Sequence, residues 1–436
     1  MVFSATWFLV GALAGCTFLV AQLFRPRAMV LALAAILFIY LIGLPIDFYG
    51  RPVQQWINPL QANRTSIIVG LVPIILLGGW FILPPSVNQS TPKPIFFLVA
   101  LYIYIGAVRI IHNGLIDGIL TVLLAMFTLA TIVVVFQRLS NDWDDFLIFP
   151  RVIVIAVAGF LAASAFQFVI NPDKILIGIT DRFIGVAANP QFAAVLCGIG
   201  LIVMIWLAMY DRRRFLWIYV GMAILTGMAL LATGSRTGVL MFILGLSVLG
   251  IRRFGRQLLL IPLLGIGLML MIQLAGAIGI DLPLDRFLAG SDTRTFAWRG
   301  LLSMAQSSPW IGVGVAGAGM SENSILYAAA SYGILAPLLL IGLGIGCLSL
   351  GISLFRRTQP YPILHPQADL VNAIFAAYFA GAVFEGYMIG RVTSMLIVIT
   401  LTIVCGQLLL DRLTVWESEE MIPEPHLTVE ADTLTV

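Results

Sequence analysis

The chain has 436 residues, of which 60 % are hydrophobic and only 10 % charged, with a formal net charge of +3. So few charges cannot cover the surface of a water-soluble protein, and the small positive balance does not indicate nucleic-acid binding. The composition instead indicates a protein that lies in the lipid bilayer.

Apolar stretches of about 20 residues, the length that crosses a bilayer core as a helix, recur along the whole chain. We predict an all-α, polytopic transmembrane helical bundle of about 12–13 spans, forming a single integral membrane domain over residues 1–436. The predicted spans lie near 4–23, 27–45, 65–83, 94–111, 116–137, 148–170, 190–209, 215–233, 236–251, 256–280, 323–354, 370–388 and 391–411. No basic stretch precedes the first span, so we expect a retained helix rather than a cleaved signal peptide.

Basic turns predict how the chain is oriented. The segments FRPR (24–27), DRRR (211–214), RRFGR (252–256) and FRR (355–357) fall on one side if the spans alternate, and the positive-inside rule makes that side cytoplasmic. The N-terminus then faces outward. The acidic tail at 412–436 is predicted to be cytoplasmic, and its segment 416–426 is interpreted as a solvated, disordered end without chemistry.

The cysteines and histidines do not indicate a metal site. The four cysteines lie singly in apolar runs, and the three histidines are widely spaced, so we expect packing residues and neither a disulfide framework nor a bound metal or other cofactor.

Arginines on the predicted outer side need another explanation, because topology alone does not require them there. Arg236 lies in the turn TGSRTG (233–238) and Arg182 in the loop 171–189. Arg391 lies in another outer turn, with Glu385 on the end of the preceding helix. Arg286, Arg294 and Arg299 lie in the long loop 281–321. One such residue alone is most simply an interfacial arginine that reaches lipid headgroups. Their convergence on one face predicts an anion site for a phosphate or pyrophosphate, which a guanidinium binds with its planar fork.

The turn around Arg236 fits that prediction. Its glycines allow a tight turn, and the hydroxyl of Ser235 or Thr237 can cap a helix whose N-terminus would add partial positive charge.

The loop 281–321 is long enough to carry function. Its segment TFAWRGLLSMAQ (295–306) has helical apolar spacing and is expected to lie along the interface. The stretch 312–317 matches GxGxxG, but without a preceding strand it is better interpreted as a hinge than as a dinucleotide site. We expect Ser321 to cap a long transmembrane helix with Glu322 and Asn323 on its first turn. The Glu322 carboxylate could serve there as a dipole partner or as a base for a sugar hydroxyl.

Several motifs follow one another in order between about 180 and 345. They are Arg182 with Asn189-Pro190, the turn 233–238, Arg294 with Trp298, Pro309-Trp-Ile-Gly-Val-Gly314, Glu322-Asn323 and Tyr332-Gly-Ile-Leu335. In this order they resemble the signature of the O-antigen ligase and polymerase superfamily. The resemblance implies a metal-independent membrane glycosyltransferase of the GT-C type at the outer (periplasmic) face of the bacterial inner membrane. Its donor would be an undecaprenyl-pyrophosphate-linked glycan. The implied pyrophosphate and glycan contacts are Arg182, Arg236, Arg294, Arg299 and Asn323, with Glu322 as the catalytic residue.

One departure from the family pattern bears on the reaction. Family ligases that join glycan to lipid A–core typically carry a histidine where this chain has Glu322. A His-Asn pair does occur elsewhere in the chain, at His112-Asn113, but it lies in a short turn and is interpreted as coincidence. We therefore favour a polysaccharide polymerase, whose acceptor is a second lipid-linked glycan. A ligase to lipid A–core or to protein hydroxyls, a secondary transporter and a structural scaffold remain as alternatives. Chain-length regulators or other polysaccharide-assembly proteins are further expected partners.

Overall fold

A computed structural model describes residues 25–43, 45, 53, 55–83, 90–139, 146–177, 182–211, 215–255, 293–319, 322–389 and 392–418. Its helices in chain order are α1 (Arg25–Leu41), α2 (Asn58–Ala62), α3 (Arg64–Ile82), α4 (Lys93–Asn113), α5 (Leu115–Leu139), α6 (Ile148–Ile170), α7 (Pro190–Tyr210), α8 (Leu216–Ala232), α9 (Arg236–Phe254), α10 (Thr293–Ser307), α11 (Gly314–Ala318), α12 (Ser324–Tyr332), α13 (Leu335–Arg357), α14 (His365–Phe384) and α15 (Ser394–Ser418). Short 3-10 turns cover Pro172–Ile175 and Pro362–Leu364, and an antiparallel hairpin pairs β1 (Leu176–Ile177) with β2 (Arg182–Phe183).

The all-α prediction is confirmed. Nine helices in the described ranges are long and apolar enough to cross a membrane, and α1 and α8 are shorter apolar helices at predicted spans. The predicted spans 4–23 and 256–280 lie outside the described residues. The last helix continues to Ser418, beyond the predicted end at 411, and Glu417 pairs there with Arg357 at 2.5 Å.

The prediction of one long helix over 323–354 is wrong. The chain forms two helices, α12 and α13, which are separated at Gly333. Gly333 has φ of +82°, and a Cβ at this position would lie 2.1 Å from the carbonyl oxygen of Trp310. Apolar periodicity could not reveal this break, because the residues on both sides of the glycine are equally hydrophobic.

Small residues allow the central helices to pack closely. In α9, a Cβ on Gly238 would meet Ala194 of α7 at 2.7 Å, and one on Gly245 would meet Ile202 of α7 at 2.2 Å. Close approach at glycines is a usual way for membrane helices to gain packing contacts. The helices α7 and α15 are the most enclosed, because 78 % of the apolar stretch of α7 and 83 % of that of α15 are buried. They therefore form the centre of the bundle.

Large apolar side chains also cover the outside of the bundle. Along α8 the exposed residues include Trp217, Ile218, Ile224, Leu225, Met228 and Leu231. Exposed apolar surface of this extent would be unfavourable in water, whereas in a bilayer it contacts lipid tails.

The bundle has two chemically different ends. At the first, which we call the basic end, Arg252 pairs with Asp369 at 3.0 Å and Arg151 with Asp211 at 3.6 Å. At the other, which we call the site end, α1, α4, α8 and α14 finish while α3, α7, α9 and α15 begin. The basic turns and the predicted outer arginines of the described chain therefore lie at opposite ends.

Candidate active site at the site end

The turn between α8 and α9 brings two of the predicted arginines together. Gly234 has φ of +59°, a conformation that glycine adopts without steric cost, and it lets the chain reverse direction there. Ser235 then caps α9, because its side chain accepts a hydrogen bond from the Gly238 amide at 3.3 Å. Arg182, on β2, donates from Nε to the Thr233 carbonyl at 2.7 Å. The hairpin thus places Arg182 beside the turn that carries Arg236.

Arg236 is the first residue of α9 and is exposed. Helix N-termini carry a partial positive charge and attract anions. Between the two predicted capping hydroxyls, the structure selects Ser235. The Thr237 side chain points inward instead, with 1 % of its surface exposed.

A buried carboxylate connects this turn with the segment that carries Glu322. Glu385 follows the last residue of α14 and is 8 % exposed. Thr237 donates from Oγ1 to its Oε1 at 3.0 Å, while Ser324, the first residue of α12, donates to its backbone carbonyl at 2.6 Å. The α8–α9 turn and the start of α12 are thereby held together through one residue.

Asn323 has a role that differs from the predicted one. It does not lie on the first turn of a helix but is the N-cap of α12, and its side chain accepts from the amides of Ile325 and Leu326, both at 3.0 Å. Its φ is +84°, a conformation that asparagine tolerates better than most residues. Glu322 therefore precedes the helix, and Ser321, the predicted cap, lies outside the described residues.

Glu322 and Trp298 bring unsatisfied polar atoms to this region. Within the described part of the chain, Glu322 Oε2 and Trp298 Nε1 are buried without a hydrogen-bond partner. The Trp298 ring lies 6.5 Å from the ring of Phe384, the neighbour of Glu385. Buried polar groups are rarely left unsatisfied, so a donor and an acceptor of this kind are suited to a hydroxyl-bearing ligand.

The remaining predicted residues belong to the long loop 281–321, apart from Arg391, which follows α14 in the chain. The helix predicted at 295–306 is present as α10, with Arg294 on its first turn, and its location along the membrane interface stays a prediction. Arg299 lies on the exposed face of α10, whereas Ala297 and Leu301 are buried on the opposite face. Arg286 and Arg391 lie outside the described residues. The predicted hinge at 312–317 overlaps α11, and the Val313 amide donates to the Ala330 carbonyl at 2.8 Å.

A cavity of about 520 Å³ opens beside this cluster, and it includes residues that the sequence did not single out for a site. Arg109 lines it, is 6 % exposed, and pairs with Asp117 at 2.9 Å. In the sequence, Arg109 could have been found by its charge alone, because placing an ionisable residue within an apolar span is energetically unfavourable. The His112-Asn113 pair was interpreted as a coincidence in the sequence. In the structure, the Nε2 of His112 lies 3.2 Å from the carbonyl oxygen of Ile311.

Across the ranges that the structure describes, no three side chains of His, Cys, Asp or Glu are grouped so that they could hold a metal ion. The described charges of the site region are guanidinium and carboxylate groups, distributed over turns that different helices bring to one end.

We expect the link through Thr237 to be needed for stability. Replacing Thr237 by Val keeps the shape but removes the donor to Glu385, and a buried acceptor that loses its partner costs about 1–3 kcal/mol. The variant should have a lower melting temperature in detergent. Thr237→Ser keeps the hydroxyl and is the matched control. Equal melting of Thr237→Val and the wild type would show that this hydrogen bond contributes nothing.

The fold defines a polytopic α-helical membrane protein, and arginine and carboxylate side chains gather at one end of its bundle. Residues 221–341 match the family model described as O-antigen ligase, which confirms the resemblance to the O-antigen ligase and polymerase superfamily. The match includes Arg236, α10 and Glu322. It supports a membrane enzyme of polysaccharide assembly. A search of the curated proteins finds no match.

Proposed function

We propose that this protein is a polysaccharide polymerase of the O-antigen or exopolysaccharide type. It transfers glycan from an undecaprenyl-pyrophosphate donor to the sugar of a second lipid-linked glycan. The observation that carries the proposal is the link from Thr237 through Glu385 to Ser324, because it holds the Arg236 turn close to Glu322. Anion recognition and proton acceptance then lie side by side.

In this proposal, Arg182 and Arg236 bind the pyrophosphate of the donor. The Nε of Arg182 is occupied by the Thr233 carbonyl, which fixes the plane of its guanidinium. As the bond between the sugar C1 and the pyrophosphate oxygen breaks, negative charge accumulates on the leaving group. Fixed guanidinium groups stabilise that charge, as a divalent metal does in other transferases, so the reaction proceeds without a metal.

Glu322 accepts the proton of the acceptor hydroxyl. The hydroxyl oxygen forms a bond to the donor C1, its proton passes to the Glu322 carboxylate, and undecaprenyl pyrophosphate leaves with the electron pair of the broken bond. The buried Oε2 of Glu322 suits this role, since it has no hydrogen-bond partner among the described residues and a hydroxyl could supply one. Trp298 could donate from Nε1 to the same sugar.

The choice of polymerase over ligase depends on Glu322. The resembling ligases carry a histidine at this position, and a carboxylate there favours transfer between lipid-linked glycans. Ligation to lipid A–core or to protein hydroxyls is the second candidate, because it would use the same donor and the same arginines. A secondary transporter would place its polar groups near the membrane midplane, whereas Arg182, Arg236, Glu322 and Glu385 gather at one end.

The proposed location follows from the basic end. Arg252 and Arg357 lie there, and the positive-inside rule would place that end in the cytoplasm. The site end would then face the periplasm, where we place the reaction of this GT-C-type enzyme at the inner membrane.

The glycan profile of cells that lack the protein tests the assignment. Loss of a polymerase should leave single repeat units on the lipid carrier, because no step joins them. Loss of a ligase should leave long chains on the carrier instead, and that result would favour the second candidate. An unchanged profile would contradict both.

A further inference from the structure

The cavity of about 520 Å³ is built by segments from much of the chain. It lies where α1 ends and where α3, α7 and α15 begin, and it is completed by α11, α12 and the residues Gly386, Ile389, Val392 and Thr393. Its volume falls within the range of about 300–1,000 Å³ that is usual for small-molecule sites.

Most of the cavity lining lies outside the segment that matches the family model. Only Val315, Ala316 and Tyr327 among the lining residues fall within 221–341, whereas Arg236 and Glu322 both do. The segment shared with the family thus carries the candidate chemistry, and other parts of the chain shape the neighbouring cavity. Such a division is expected where a common reaction is combined with a substrate that differs between proteins.

The polar groups of the cavity suit a hydroxyl-rich ligand. Arg109 is held in position, since Nη1 donates to Asp117 and also to Thr121 at 3.2 Å. Arg64, at the start of α3, donates to the Ile42 carbonyl at 2.7 Å and lines the same cavity. The Tyr327 phenol also lines the cavity, and its neutral hydroxyl can donate or accept a hydrogen bond.

The cavity adjoins the candidate active site at two points. Tyr327 is on α12, one turn beyond Asn323 and Ser324, and Gly386 of the lining directly follows Glu385. A glycan that fills the cavity would therefore end close to Glu322.

We infer that this cavity is the acceptor-glycan subsite, and that Arg64, Arg109 and Tyr327 contact the acceptor sugars while the donor pyrophosphate binds at Arg182 and Arg236. The inference rests on the proposed function for the identity of the acceptor. It assigns acceptor choice to the region outside the family match.

The test uses the full-length protein in detergent and two probes. Lipid-linked glycan extracted from the producing cells is the donor, and glycan released from the same lipid by mild acid is the acceptor. Ala316→Phe fills the cavity from α11, and Ser303→Phe adds the same bulk to the exposed face of α10 as a control. Tyr327→Phe removes one hydroxyl with little change of shape.

For Ala316→Phe we expect the Kd for released glycan to rise at least about tenfold, because the ring occupies space needed by the sugar. For Tyr327→Phe we expect a rise of about 3–10-fold, the loss of one hydrogen bond. Binding of undecaprenyl pyrophosphate should stay unchanged in both variants. The subsite is overturned if Tyr327→Phe binds glycan with wild-type affinity and Ala316→Phe either does the same or misfolds. If glycan binding depends on the cavity but the wild type transfers no glycan, the subsite stands and only the polymerase proposal is refuted.

Discussion

Glu322→Gln should reduce glycan transfer by about 100-fold or more while donor binding survives, the usual scale for loss of general acid–base catalysis. Glutamine keeps the size and hydrogen-bonding shape of glutamate but cannot take up the proton of the acceptor hydroxyl. The fold should tolerate the change, because the cap of α12 is formed by Asn323 and not by Glu322. The measurement is the initial rate of transfer by purified protein with the lipid-linked glycan, together with the Kd for undecaprenyl pyrophosphate.

The matched control for this variant is Glu417→Gln. It makes the same chemical change at the basic end, where Glu417 pairs with Arg357, and it should leave the transfer rate unchanged. Glu322→His provides a sharper comparison, since it installs the residue of the resembling ligases and should retain part of the activity. Full polymer length with Glu322→Gln would show that Glu322 is not the base, and the polymerase assignment would lose its main support.

Arg236→Lys is expected to impair transfer strongly although the positive charge is retained. Lysine offers a point charge in place of the planar fork that binds two phosphate oxygens, so donor affinity should fall together with the rate. Expression and melting temperature should stay near those of the wild type, because Arg236 is exposed and the adjacent Ser235 forms the cap. The readouts are donor Kd and transfer rate.

Arg356→Lys is the corresponding control, since Arg356 is exposed at the other end of the bundle. The same assay in excess chelator tests whether guanidinium groups take the place of a metal ion. Wild-type activity should be unaffected by the chelator. Near-normal transfer by Arg236→Lys would contradict fork recognition, and a requirement for added magnesium or manganese would contradict the arginine-for-metal argument.

The two variants test groups that the fold holds close to each other. Thr237 follows Arg236 directly, and its hydrogen bond to Glu385 connects it to Ser324, two residues beyond Glu322. Damage to this link should therefore affect both the anion site and the base. In this proposal Glu385 is a positioning residue, because its carboxylate accepts from Thr237 and its backbone carbonyl accepts from Ser324.

The sequence alone determined the membrane bundle and most of its spans, since a helix that crosses lipid must satisfy its own backbone and carry about 20 apolar residues. It also determined the turn at Arg236, because a glycine that allows a reversal is followed there by hydroxyl residues that can cap a helix. These features depend on neighbours along the chain. The choice of Ser235 over Thr237 as the cap came from the structure.

Tertiary structure decided the rest. Glu385 was visible in the sequence only as a charge at a helix end, and its contacts with Thr237 and Ser324 join residues far apart in the chain. The break at Gly333 depends on the backbone of Trp310, which hydrophobicity cannot report. The cavity at Arg64 and Arg109 exists only where separate helix ends meet. Packing between distant segments creates such features, and a one-dimensional pattern does not contain the distances that define them.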